Sequence, residues 1–240
     1  MLKSDVRYGE IIGHIKDKKL VKYANNTKQL LSVTIQTKQG DRVDTVVFGT
    51  KSDPQKPVEV NNEIKVGDYV AANGGLTERQ YRSRVNGQLY TSYSLSVNYY
   101  RHLNEETNHS GTSFELSGVI QKRKGNIITV LSQDRYTKAD GEDVVRDNTL
   151  TIKFDEDLTQ CDDFDDLVPN TKVTIVGAIL NRFESTALPT EGPRIDAMGD
   201  AGKKRAKGKP RVELLAAIIR NMGEAEDDSL DELDGEDIPF

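Results

Sequence analysis

The densest chemistry in the sequence lies in "LTERQYRSRVNGQLYTSYSLSVNYYRHL", where Arg79, Tyr81, Arg82, Arg84, Tyr90, Tyr93, Tyr99, Tyr100 and Arg101 interleave guanidinium groups with phenol rings around an Asn86-Gly87 turn. Cations neutralise phosphates and flat rings stack on unpaired bases, so this mixture is what a groove for a single strand of nucleic acid requires. Phe48 ends "DTVVFG" on the opposite phase to Val47, which predicts that its ring faces outward. Lys16, Lys18, Lys19, Lys22 and Tyr23 crowd the loop after the first strand, as a rail for phosphates.

A different chemistry is offered by "FDEDLTQCDDFDDL", which gathers Asp155, Glu156, Asp157, Asp162, Asp163, Asp165 and Asp166. Convergent carboxylates hold the divalent ions of metal-dependent nucleases, whereas the same acids on a solvated loop do nothing catalytic. No His or Lys accompanies them at useful spacing. A second basic stretch, "RKGNIITVLSQDRYTK", carries Arg123, Lys124, Arg135, Tyr136 and Lys138, and reads equally as a binding face or as scaffold.

The elements that position these residues are β-strands. "YGEIIGHIK", "LLSVTIQTK", "DTVVFGT", "DYVAANGGL" and "TSYSLSVNYY" are rich in β-branched and aromatic residues and are bounded by Gly, Asn, Asp and Pro. Five strands in the first hundred or so residues fit a small barrel, with "SDPQKPVEVNNEIKVGD" as a long connection before the fourth strand. "FELSGVIQ", "NIITVLSQ", "NTLTIKF" and "TKVTIVGAIL" form a second set. The pairs "GHIKDKK" with "GVIQKRK", and "IKVGDYVAANGGL" with "VPNTKVTIVGAIL", point to an internal duplication, although no fifth strand of the second set is evident. Residues 186–211 mix Pro and Gly with six bases from Lys203 to Arg211, as a flexible linker does. In "RVELLAAIIRNMG", Val212, Leu215, Ala216, Ile219 and Met222 recur at helical spacing ahead of Gly223, which predicts a short helix over 212–223.

The chain ends in "DDSLDELDGEDIPF". Residues 224–237 hold nine acids and no base, and without them the formal charge of −6 becomes +3. The folded part is therefore mildly basic, and the tail from 224 to 240 is too charged to bury a core. One cysteine excludes an intrachain disulfide, and the three histidines are too scattered for a zinc site. With no signal-peptide core and no long apolar run, a soluble cytosolic protein without cofactor is expected.

In the order quoted, "GHIKDKK", "LLSVTIQTK", the "VVFG" strand, the Lys65-Val66-Gly67 turn and "LTERQY" leading into a Gly-containing hairpin resemble the oligonucleotide-binding (OB) domain of bacterial and phage single-stranded-DNA-binding proteins. The ending Asp237-Ile238-Pro239-Phe240 is similar to the acidic tip of the same family, residue for residue. The resemblance implies a mostly β chain. It comprises an OB-fold, a five-stranded Greek-key barrel, over 1–105 and a divergent OB-like unit over 112–185, followed by the linker, the short helix and a disordered acidic tail.

It also implies base stacking by Phe48 and Tyr81. The DNA-binding set is then Lys22, Tyr23, Phe48, Lys51, Arg79, Tyr81, Arg82, Arg84 and Tyr90, and the partner-binding set is Asp237, Ile238, Pro239 and Phe240. No tryptophan is present, which departs from the family's usual stacking residues. The implied role is non-catalytic: coating and protecting unpaired DNA in replication, recombination or repair, and recruiting partner enzymes through the tip. The setting would be a bacterial cell or a phage-infected host, with a possible homodimer, since the family commonly gathers four such domains. A metal-dependent nuclease and an OB-fold RNA-binding module are the alternatives.

Overall fold

The computed structural model describes residues 4–23, 28–82, 89–137, 142–184 and 209–224. The first barrel comprises β1 (Arg7–Tyr23), β2 (Lys28–Gln36), β3 (Arg42–Phe48), β4 (Tyr69–Arg82) and β5 (Leu89–Val97), with the two-residue β6 (Arg101–His102) beside β4. Antiparallel pairing joins β1 to β2, β2 to β3, β4 to β5 and β1 to β4, and a parallel pairing of β3 with β5 closes the barrel. Strict alternation drives the closure. Leu31, Val33 and Ile35 of β2 and Val43, Thr45 and Val47 of β3 point inward and are buried, while Ser32 and Thr34 of β2 and Asp44 and Phe48 of β3 lie on the outward phase.

The connection before β4 contains a helix that the sequence reading treats as loop, α1 (Lys56–Glu63). It is short and its apolar positions are few, so periodicity is weak. Proline in its first turn and the buried Pro57 and Val60 hold it on the barrel. Its C-terminal carbonyls are met from outside, because the Lys18 ammonium donates to the carbonyls of Asn61 and Ile64.

A second barrel follows: β7 (Gly111–Lys124), β8 (Ile127–Thr137), β9 (Asp143–Lys153), the two-residue β10 (Gln160–Cys161), β11 (Thr171–Glu184) and β12 (Lys209–Glu224). It repeats the first in register. A bulge follows Ile15 in β1 and Ile120 in β7. Gly13 faces Val70 as Gly118 faces Val173. The Ile15 carbonyl accepts from the amide of Gly67, and the Ile120 carbonyl accepts from the amide of Asn170; both of these turn residues adopt positive φ.

The expected helix over 212–223 is instead β12, the missing fifth strand. It pairs with β11 along its length and runs parallel to β9 at Leu214 and Leu215, as β5 runs parallel to β3. Leu214 and Ala216 are buried in strand alternation. A bulge opposite Val176 and Gly177 then skips Ala217, so the next buried residue is Ile219. That three-residue step imitates helical spacing, and thirteen-rung pairing with a neighbouring strand outweighs the helix propensity of "LLAAII". The expected linker also ends earlier, since Lys209–Arg211 belong to β12, while residues 186–208 and 225–240 lie outside the described residues.

The barrels join through β1 and β7, which pair antiparallel from Arg7↔Leu116 to Ile12↔Gly111. Gly9 sits directly opposite Phe114, its counterpart in the repeat. The space above Gly9 is filled by the Leu95 and Ile179 methyl groups, and the Phe114 ring packs on Gly177. One apolar cluster consequently runs through both barrels. Among the described residues no helix is long and apolar enough to cross a membrane.

Candidate nucleic-acid interface

Across β1, β2 and β3 the outward positions form one face. The ladder sets Lys19 beside Ser32 and Val21 beside Leu30, then Leu30 beside Phe48, Ser32 beside Val46 and Thr34 beside Asp44. Parallel pairing extends the face to β5 through Ser94 and Ser96. Phe48 is 37% exposed while its neighbour Val47 is fully buried, the phase expected from the sequence. Phe48 pairs with the half-buried Leu30, which pairs with the half-buried Val21, and exposed Lys19 and Lys28 share this phase, whereas exposed Lys22, paired with Gln29, lies on the opposite one. Lys51 is exposed at a turn held by the Thr50 amide on the Asp53 carbonyl and by the Asp53 amide on Thr50 Oγ1. Flat apolar surface ringed by ammonium groups suits a base with its phosphates. Asp17 and Asp44 interrupt the positive field in the middle of the face, and Asp44 accepts a bond from Thr34.

The β4–β5 ladder pairs Tyr81 with Tyr90, Arg79 with Ser92 and Arg82 with Leu89. These positions continue the strands that carry Thr77 and Ser94, away from Phe48. From Tyr90 to the level of Ser96 and Val46, and on to Phe48, is about eight strand residues, roughly 26 Å. Phe48 and the tyrosine pair therefore mark opposite ends of the face. The side chains of Tyr23, Arg79, Tyr81, Arg82 and Tyr90 lie outside the described residues, as do Arg84 and the whole of Asp237, Ile238, Pro239 and Phe240.

Two tyrosines of the expected binding mixture serve the core instead. Tyr93 is 4% exposed and donates to the Thr151 carbonyl, and burial followed by the neighbouring Glu78 carboxylate pushes its phenol far above the usual range. Tyr100 is buried with its hydroxyl 2.6 Å from Thr45 Oγ1, and burial raises its pKa too. Thr45 donates to the Val33 carbonyl, so the phenol is its donor. Tyr100→Phe should lower stability by about 1 kcal/mol, read from the urea midpoint, and leave nucleic-acid affinity unchanged. Lys18 is committed to the end of α1 and leaves the phosphate rail. Conversely, Lys28 and Arg42 belong to the face but escape the sequence reading; their signal is parity with Leu30 and Phe48 along β2 and β3.

On the second barrel, Arg123 does not present a free cation. Its guanidinium donates to the carbonyls of Phe164 and Gly125 and lies 5.6 Å from the Phe154 ring centroid, tying down the acidic loop. Within that loop Asp155 accepts from the Asp157 amide and Asp163 from the Asp165 amide, as turn-capping residues do. Among the described residues no three His, Cys, Asp or Glu side chains converge as a metal-holding group.

No protein-family model matches the sequence, and no curated protein matches it significantly. Among solved structures, a deletion mutant of the single-stranded DNA binding protein from Thermus aquaticus aligns with 96% of this chain and 100% of its own, at a TM-score of 0.53 and 10% identity. The wild-type form of that protein aligns with 81% of this chain and 98% of its own, at 0.47 and 12%. A Plasmodium falciparum SSB in complex with ssDNA aligns with 43% of this chain and 100% of its own, at 0.31 and 15%. The first likeness spans both barrels, and with the strand ladders it establishes the fold: a mostly β chain in which an OB barrel is followed by a second, divergent one.

Proposed function

We propose that this protein binds single-stranded DNA, without catalysing a reaction, on the β1–β2–β3 face of its first barrel. The observation that carries the reading is the exposed Phe48 on the same face as Leu30 and Val21, with lysines on the adjoining strands and turn. In OB folds the strand 2–3 face is the usual oligonucleotide site. Stacking and phosphate neutralisation together give affinity without base selectivity, as a coating protein needs. Tyr81 and Tyr90, paired at the far end of the face, extend the path for the strand.

The tail would serve partners. A terminal Phe240 beside the α-carboxylate is an apolar plug with a fixed anion, suited to a hydrophobic pocket rimmed by Arg or Lys, and the acids ahead of it steer basic partners. Replication, recombination and repair enzymes of a bacterial cell or phage-infected host are the partners in this reading. A homodimer is supported by the outer face of the sheet shared by the barrels, where Tyr8 is 42% and Val176 38% exposed. Fluorescence anisotropy of labelled oligo-dT, with the full chain and with residues 225–240 deleted, tests both halves. Affinity should be kept or strengthened by the deletion, while capture of partner enzymes is lost; failure of either protein to bind oligo-dT would end the reading.

A further inference from the structure

We propose that the strand face of the second barrel is a seat for the first barrel's β4–β5 hairpin and not a second DNA site, so that each chain offers a single strand one barrel face. The inference rests on the DNA-binding reading of the first barrel. Because the repeats are in register, the second barrel's counterpart of the binding face is identifiable: Ser32 corresponds to Ile127, Val46 to Lys153 and Phe48 to Asp155.

The β9 edge of that counterpart is already occupied. The Thr151 amide donates to Glu78 Oε2 at 2.9 Å, and the Thr151 carbonyl accepts from the Tyr93 hydroxyl at 3.2 Å. Two side chains of the β4–β5 hairpin thus grip both polar groups of one β9 residue, beside the point where β12 pairs with β9 at only two positions. Between hairpin and face lies a cleft of about 410 Å³, lined by Glu78, Thr91 and Tyr93 on one side and by Ile127, Thr151 and Lys153 on the other. The seated hairpin forms one wall of this cleft, which the first barrel's face lacks among the described residues.

The chemistry of the counterpart has also changed. Where the first barrel continues through Phe48 to Lys51, the second continues through Asp155, Glu156 and Asp157, which repel phosphates. Lys153 is paired with Glu213 at 3.3 Å. The long β1–β2 arm is replaced by the tight turn at Gly125 and Asn126, where Gly125 has positive φ. Each change removes something a single strand would use.

Two measurements on the full chain test the seat. Amide exchange at Thr151 should be slow in the unaltered protein, faster by at least tenfold in Glu78→Ala, and largely restored in Glu78→Gln, which retains an acceptor oxygen. Exchange that Glu78→Ala does not alter would overturn the seat. Oligo-dT affinity should change by less than about twofold in Lys153→Ala, and photo-crosslinks to oligo-dT should map to residues 7–102 and not to 122–158. Crosslinks on β8 and β9, or a loss in Lys153→Ala matching that in Phe48→Ala, would overturn the claim of one DNA face. Should the unaltered chain fail to bind oligo-dT, the DNA-binding reading falls, and the seat is then decided by Thr151 exchange alone.

Discussion

Phe48→Ala is expected to weaken oligo-dT binding by between about fivefold and 150-fold, the range that corresponds to roughly 1–3 kcal/mol for loss of one stacked base. The fold should tolerate the change, because the ring is 37% exposed and the barrel is filled from the other side of the strand by Val47. An unchanged urea midpoint with reduced affinity would separate a binding role from a packing role. Lys51→Gln supplies the electrostatic counterpart. It should lower affinity for all sequences alike and reduce the salt slope by ~0.7, the value for one phosphate contact on a single strand. If Phe48→Ala left affinity unchanged, stacking at this end of the face would be excluded, and the tyrosine end would have to carry the strand.

The largest effect on stability is expected at Gly74. A Cβ built there would stand 1.9 Å from the Ser96 carbonyl oxygen, on the backbone of the neighbouring strand, where no rotamer change relieves the clash. Gly74→Ala should therefore cost about 3 kcal/mol or more, well above the usual range for a surface change. Its counterpart Gly177 meets the Leu215 carbonyl oxygen at 2.1 Å and should behave alike. Gly75 is the control: a Cβ there meets nothing within 4 Å, so Gly75→Ala should shift stability by no more than about 0.5 kcal/mol. Urea unfolding of the three variants is sufficient. Equal midpoints for Gly74→Ala and Gly75→Ala would mean that the strands open more easily than the ladder of β4 on β5 implies.

How far such features can be read from the residues alone depends on whether local pattern and long-range pairing agree. In β2 and β3 they agree, and the outward phase of Phe48 follows from alternation against Val47. The internal duplication is also legible, because glycines that admit a close backbone approach recur at Gly13 and Gly118 in matching strings. In β12 they disagree. The bulge at Ala217 gives the buried residues a helical step, and only the pairing with β11 reveals a strand. The tyrosines mislead for a related reason. Tyr93 and Tyr100 sit in a polar-looking segment, yet their hydroxyls find Thr151 and Thr45, partners far away in sequence that no local pattern names. Lys18 is likewise taken from the basic cluster by the end of a helix whose weak periodicity hides it.

The central claim is that the first barrel's face receives single-stranded DNA. Nine tyrosines and no tryptophan make intrinsic tyrosine fluorescence a direct reporter of it. Titration with oligo-dT, duplex DNA and oligo-U at two salt concentrations, with and without Mg²⁺, is the decisive measurement. The account predicts tight quenching by oligo-dT that weakens with salt, with little response to duplex. Absence of quenching by oligo-dT, or loss of the oligonucleotide itself in Mg²⁺, would contradict it.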